Sequence, residues 1–218
     1  LRSWYEKRAI FFSYSDRAKM RLDFESFQNA AKDALGDGEA SELDSVVRFA
    51  LEIGDRKKAM QAANQIFDRN LRTEEVPCKT YHYLLRDALK CGDMDAAEKY
   101  VQPLRSLCDG QRFQLEAIGM VLCYDALTDL RRGLEFYQKN QALREGSRNP
   151  FLCFWFDRGA AKLLTAAAEQ GLSGTDISGM VLTPEQLSEK AETIMQNCRT
   201  LAERFDARNR SNYFSSEL

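Results

Sequence analysis

A stretch of helical sequence recurs three times in this 218-residue chain, and it constrains the fold more than any other feature. The first two copies begin at Ser41 and Lys79 and place apolar residues at the same five positions, three or four residues apart or adjacent. That spacing puts the apolar side chains on one face of an amphipathic helix. A third copy begins at Leu115, so the copies are offset by 38 and then 36 residues. The repetition predicts a chain built from similar helical units.

Each helical stripe is followed by a turn signal. The turn residues are Gly54-Asp55, Gly92-Asp93 and Thr128-Asp129. Glycine ends a helix because it adopts a left-handed backbone without a Cβ penalty, and the aspartate carboxylate then caps the next helix. A small residue follows four positions after each aspartate, where we expect two helices to cross closely. These small residues are Ala59, Ala97 and Gly133.

One repeat unit is therefore an antiparallel pair of helices. Such a pair cannot bury its own apolar face, so several pairs must stack. We predict an all-α fold, specifically a right-handed α-solenoid of stacked antiparallel helix pairs. We expect residues 1–40 to be an N-terminal extension or a degenerate repeat. We expect residues 41–148 to form about three helix–turn–helix repeats. We expect residues 149–206 to form C-terminal helices, with a loop over 171–182. We expect residues 207–218 to be a polar tail that is mobile or bound to a partner.

The flanking segments carry helix signals of their own. We predict helices over residues 4–14 and 17–35, joined by a turn at Ser15-Asp16, with the second helix stopping at residues 36–38. Residues 151–170 are strongly apolar and predict a long buried helix. Thr183 followed by proline is a typical helix start, and this last helix should run to about Asp206.

The second copy, KTYHYLLRDALKCGDMDAAEKYV, resembles the pentatricopeptide repeat. The residues that carry the likeness are Tyr81, Leu84, Leu85, Lys90, Gly92, Asp93 and Ala97. Tetratricopeptide repeats are also built from antiparallel helix pairs, so the sequence is compatible with either family. The resemblance covers about half of the chain, roughly residues 41–148, and implies a protein that works through the surface of its stacked helices.

The resemblance also names candidate RNA-facing residues. In RNA-reading pentatricopeptide proteins, the fifth and the last residue of each repeat read one base. The fifth positions here are Ser45, Tyr83 and Gly119, of which Ser45 and Tyr83 are the candidate RNA-facing residues. Tyr83 and Gly119 depart from the usual small polar, amide or acidic readers, and three repeats would read only about three bases. Sequence-specific RNA binding by this chain alone is therefore not favoured.

The charge pattern favours contacts with protein partners. The net charge is −2, whereas proteins that bind nucleic acid on their own are more often basic. Residues 1–22 contain six Lys or Arg and only two acids, and an acidic stretch follows. Two groups that include aromatic side chains are candidate partner-binding residues. Helix packing, or a buried contact with a neighbouring protein, explains these aromatics better than base stacking on a nucleic acid does. The candidates are Trp4, Arg8, Arg17, Phe151, Phe154 and Trp155.

No set of residues predicts catalysis, cofactor binding or a metal site. His82 is the single histidine and has no identifiable catalytic partner by spacing. The six cysteines form no C-x-x-C pair, which argues against zinc and favours buried, reduced thiols. No apolar run reaches the roughly 18 residues that a membrane span requires. We therefore expect no enzyme activity, no cofactor and no transmembrane segment.

These observations favour a non-enzymatic scaffold or adaptor subunit of a large organellar complex, with the mitochondrial ribosome as the best guess. Reduced cysteines and a first residue other than Met favour the mitochondrial matrix, with plastid or cytoplasm as alternatives. One alternative function is a pentatricopeptide RNA-binding factor acting on organellar transcripts. Another is a tetratricopeptide adaptor that grips peptides. Arg48 and Arg86 share the eighth position of their repeats as that role requires, but Leu122 stands there in the third copy.

Overall fold

The computed structural model describes residues 1–32, 36–172 and 182–218, and within these ranges the chain is helical with no strand. The all-α prediction is confirmed for this part of the chain. In the described part of the chain, short 3₁₀ helices cover Arg112–Gln114 and Ser215–Glu217. The α-helices are α1 (Arg2–Phe12), α2 (Arg17–Asn29), α3 (Glu39–Ile53), α4 (Arg56–Asp68), α5 (Cys78–Cys91), α6 (Met94–Cys108), α7 (Leu115–Thr128), α8 (Leu130–Glu145), α9 (Pro150–Glu169) and α10 (Pro184–Asn209).

The predicted turns between paired helices are confirmed. Gly54 and Gly92 have φ angles of +87° and +69°, in the left-handed region that favours glycine. The aspartate after each turn accepts a hydrogen bond from the backbone N–H three residues later, at 3.0–3.1 Å. These capping residues are Asp16, Asp55, Asp93 and Asp129. Local sequence therefore sets where the first helix of each pair ends and the second begins.

The second helix is shorter than predicted. It ends at Asn29 rather than at residue 35, and Ala30 is already extended with φ −73° and ψ 139°. The guanidinium of Arg2 donates to the carbonyl oxygens of Phe27 and Ala30, at 2.7 and 2.8 Å. Carbonyl groups at the end of a helix lack hydrogen-bond donors within that helix. Here a side chain from α1 supplies the missing hydrogen bonds. Residues 33–35, which the prediction included, lie outside the described residues.

The chain divides into two compact units. Unit 1 comprises residues 1–87 and 205–217, and unit 2 comprises residues 88–204 with Leu218. In unit 1, α1 packs against α2 and α3 against α4. Buried residues from the first three helices form one core cluster, and consecutive helices contribute to it. This cluster contains Ala9, Met20, Phe24, Phe27 and Phe49.

Unit 2 is organised around α7, which packs against α6, α8 and α9 and is buried along most of its length. Gly133 of α8 lies at a close crossing, as predicted. A Cβ atom there would lie 2.6 Å from Leu163 Cδ1 and 2.8 Å from Asp125 Cβ. The equivalent residues of the first two copies, Ala59 and Ala97, have no exposed surface.

The C-terminal helices begin where predicted. Helix α9 starts at Pro150, and α10 starts at Pro184 behind a reciprocal cap. The Thr183 hydroxyl accepts from the Gln186 backbone N–H at 3.3 Å, and the Gln186 side chain accepts from the Thr183 N–H at 2.9 Å. Most of the predicted loop over 171–182 falls on residues 173–181, outside the described residues.

Residues 207–218, which we predicted to be a polar tail that is mobile or bound to a partner, contain the end of α10 and buried side chains. Helix α10 continues to Asn209, beyond the predicted end at about Asp206. The chain then folds back, and Phe214 is only 1% exposed. Phe214 and Glu217 are both buried, and residues 207–217 pack as part of unit 1.

Candidate protein-interaction surfaces

The exposed aromatic side chains of α1 form the first candidate surface. Trp4 and Phe11 are 59% and 65% exposed, and their seven-residue separation places them on one face of the helix. Arg8 lies between them, with its guanidinium carbon 5.6 Å from the centre of the Trp4 ring. An ion pair with Asp23 at 3.3 Å holds Arg8 in place. We call Trp4, Arg8 and Phe11 the α1 ridge.

The remaining predicted partner-binding residues do not belong to the α1 ridge. Arg17 donates a hydrogen bond to the carbonyl oxygen of Glu52, so it contributes to the internal structure of unit 1. Phe154 and Trp155 are buried in unit 2, with ring centroids 5.2 Å apart, and Phe151 is half-buried. Phe154 and Trp155 are therefore core residues here and not an accessible partner surface, in line with the packing alternative.

The two candidate RNA-facing residues belong to unit 1. Ser45 donates its hydroxyl to the buried carboxylate of Glu6, which ties α3 to α1. Tyr83 is half-buried on α5, and the guanidinium carbon of Arg48 lies 5.9 Å from the centre of its ring. Ser45 is thus engaged within the protein, whereas Tyr83 is partly exposed.

Arg86 is the centre of the second candidate surface. One terminal nitrogen donates to the Tyr213 hydroxyl and to the Glu217 carboxylate, both at 2.6 Å. The other donates to the Glu52 carboxylate of α3 at 3.2 Å. Only 12% of the Arg86 side chain is exposed, so these hydrogen bonds form largely away from water. We call Arg86, Glu52 and the surrounding face of α3 and α5 the Arg86 site.

Residues 211–217 occupy the Arg86 site, and we call them the latch segment. Phe214 stacks on Tyr14 with ring centroids 5.6 Å apart, and the Phe205 ring lies 4.7 Å from it. The Asp206 carboxylate accepts hydrogen bonds from the backbone N–H groups of Phe214 and Ser215, both at 2.9 Å. The latch segment is therefore held by aromatic stacking, by a local cap and by Arg86.

Arg48 supports the latch segment through Tyr14. It occupies the position in α3 that Arg86 occupies in α5, and it donates to Ser13 Oγ at 2.9 Å and Tyr14 Oη at 2.8 Å. Tyr14 in turn makes an edge contact with Tyr213, with ring centroids 5.2 Å apart. The two arginines at the eighth repeat positions thus act on the same segment, one directly and one through a tyrosine.

The electrostatics of the Arg86 site suit an acidic, aromatic ligand. Burial disfavours the charge on Arg86, but neighbouring Tyr213, Glu217 and Glu52 outweigh it and raise the pKa of the guanidinium. Burial also raises the pKa of Tyr213, so its hydroxyl stays protonated near neutral pH. A fixed cation therefore faces one neutral hydroxyl and one carboxylate of the latch segment.

The matching repeat positions indicate the two arginines, but no repeat pattern in the sequence indicates the residues that accept hydrogen bonds from Arg86. Tyr213 and Glu217 lie 127 and 131 residues along the chain from Arg86, in a segment without repeat periodicity. A usable signal was the aromatic pair Tyr213-Phe214 within an otherwise polar stretch. An aromatic pair in such a stretch indicates that the segment packs against something.

Comparison with known proteins adds no assignment: no family model, curated protein or solved structure matches the chain. Within residues 1–32, 36–172 and 182–218, no group of three or more His, Cys, Asp or Glu side chains is arranged to hold a metal ion. Among the helices of these same ranges, none is both long and apolar enough to cross a membrane.

Proposed function

We propose that this protein is a non-enzymatic helical-repeat scaffold that binds other proteins within a large organellar assembly, with the mitochondrial ribosome as the first assembly to test. In this proposal the helix pairs stack as a right-handed α-solenoid of pentatricopeptide type. The α1 ridge is the observation that carries the proposal. Large aromatic side chains exposed next to an arginine are the residue types enriched in the energetic centres of protein interfaces.

Binding a partner would remove the apolar surface of the α1 ridge from water. Trp4 and Phe11 expose most of their surface, and burying such side chains against a partner contributes roughly 1.5–3 kcal/mol each. Arg8 is already oriented by Asp23, so less side-chain entropy is lost when a partner binds. The basic first 22 residues would attract an acidic partner surface.

Replacing Trp4 and Phe11 together by alanine should detach the protein from its assembly while leaving it folded. Both side chains are exposed, so their removal costs little folding stability. The measurement is sedimentation of the tagged protein in an organellar extract, followed by identification of the proteins that co-sediment. The matched control removes two other exposed apolar side chains, Phe113 and Leu127, and should co-sediment like the wild type. Wild-type protein that sediments alone would argue against the scaffold role.

The RNA-binding alternative predicts a different result. A scaffold should bind single-stranded RNA weakly, without sequence preference, and less as salt rises, because phosphate contacts would be the only source of affinity. A dedicated reader would discriminate between sequences at physiological salt, using base contacts such as stacking on Tyr83. The measurement is affinity for a panel of RNA sequences at low and physiological salt, with Tyr83→Ala as the probe. Selective binding that disappears in Tyr83→Ala would replace the scaffold proposal with the RNA-reader one.

A further inference from the structure

We propose that the Arg86 site is a peptide-binding site, that the latch segment is its built-in competitor, and that its external ligand is a partner segment with tyrosine, a second aromatic residue and a carboxylate four positions after the tyrosine. This inference rests on the proposed role as a protein-binding scaffold. It adds the chemistry of one partner and a means of regulating its access.

The latch segment shows which groups the site selects. Tyr213 and Glu217 are four residues apart and converge on one guanidinium nitrogen, while Phe214 fills the space between Tyr14 and Phe205. Asn212, Ser215 and Ser216 are exposed. Recognition is therefore concentrated in a Tyr-Phe-x-x-Glu pattern, and the exposed positions tolerate other residues.

A surface that binds a tethered segment also binds the same segment as a separate molecule. The two differ in effective concentration, which for a segment on a short connection lies in the millimolar range. A partner segment with the same affinity for the site must therefore be present above the effective concentration of the latch segment. Otherwise it must make additional contacts elsewhere on the protein. The α1 ridge belongs to the same unit and offers such additional contacts, so a partner that touches both would displace the latch segment.

The first experiment uses the unaltered chain. The probe is a synthetic peptide with the sequence of residues 209–217, NRSNYFSSE, added in excess while hydrogen exchange is followed at the amides of Phe214 and Ser215. Both amides are bonded to Asp206 in the latched state and should be protected. We expect the peptide to increase their exchange in a dose-dependent way. A control peptide with phenylalanine for Tyr213 and glutamine for Glu217 should have no effect. Unchanged exchange at saturating peptide would overturn the proposal.

The second experiment measures affinity directly. A full-length Tyr213→Phe/Glu217→Gln variant weakens the latch without shortening the chain, and labelled NRSNYFSSE should bind it at least about tenfold more tightly than it binds the wild type. Adding Arg86→Gln should abolish that binding. Adding Arg56→Gln should not, because the ion pair that Arg56 forms with Asp87 is exposed to solvent. Equal affinity for wild type and latch variant, or affinity that survives Arg86→Gln, would count against the site.

The outcomes also separate this proposal from the scaffold role. If the latch variant loses helicity, as measured by circular dichroism, the hydrogen-exchange experiment on the wild-type chain decides whether the Arg86 site binds the peptide. Co-sedimentation without peptide binding would remove the latch proposal and leave the scaffold role standing. Peptide binding without co-sedimentation would establish the site and remove the assigned assembly.

Discussion

Alanine in place of Gly119 or Gly159 is expected to destabilise unit 2 by about 3 kcal/mol or more, the upper range for overpacking a core. A Cβ atom on Gly119 would lie 2.1 Å from the carbonyl oxygen of Trp155. A Cβ atom on Gly159 would lie 2.1 Å from the carbonyl oxygen of Gly119. Since the obstructing atoms are backbone, no side-chain rotation relieves the clash, and α7 and α9 must move apart.

The measurement is urea denaturation followed by tryptophan fluorescence, because Trp155 is buried beside the crossing and reports on unit 2. Gly146→Ala is the matched control. A Cβ atom on Gly146 meets nothing closer than 3.5 Å, and its backbone is right-handed with φ −77°. The control should change stability only slightly. Wild-type stability in Gly119→Ala would contradict the backbone-to-backbone crossing of α7 and α9.

Asp44→Asn is expected to stabilise unit 1 at neutral pH and to remove a pH dependence between about pH 4 and pH 7. Burial raises the pKa of Asp44 to about 7, against the opposing effects of the Thr80 hydroxyl, which donates to it at 2.6 Å, and of Lys79 and Arg48. Its unfolded-state pKa is about 3.9. Between these values the unfolded chain releases a proton that the folded chain keeps, so the stability contributed by Asp44 is complete below about pH 4 and falls as pH rises to 7.

The loss over that interval is on the order of 4 kcal/mol. Asparagine resembles the protonated acid and can still accept the Thr80 hydrogen bond. The measurement is the free energy of unfolding of wild type and variant at pH 4.5, 6 and 7.5. Asp16→Asn is the control, because hydrogen bonds from Lys19 lower the pKa of Asp16 and its pH effect has the opposite sign. A constant difference between Asp44→Asn and wild type across these pH values would show that Asp44 is ionised in the folded protein.

Much of the secondary structure could be predicted because its signals are local. The glycine of each turn and the aspartate after it act within a few residues, and so do the Thr183 cap and the periodic apolar stripes. These signals predict the start of α9 and α10 and the turns between the paired helices. The end of α2 could not be placed, because the group that satisfies its last carbonyls is Arg2, which belongs to another helix.

The candidate sites were only partly predictable. Trp4 and Arg8 were identified from composition, and Arg48 and Arg86 from their matching repeat positions. Phe154 and Trp155 were grouped with Trp4 as partner-binding aromatics, since a sequence does not show whether an aromatic side chain is covered by its own fold. The repeat alignment indicates Gly119 only as a base-reading position, whereas the packing shows that it lies at the α7–α9 crossing.

The sequence by itself determined that this protein is helical and where its helix pairs turn. Those properties depend on backbone preferences and on the periodicity of apolar residues, which act over a few residues. Only the tertiary structure decided which aromatics are exposed, which glycines let two backbones meet, and which segment Arg86 binds. Those properties depend on side chains that are far apart in sequence, as Arg86 and Glu217 are, and no local pattern specifies which distant groups will meet.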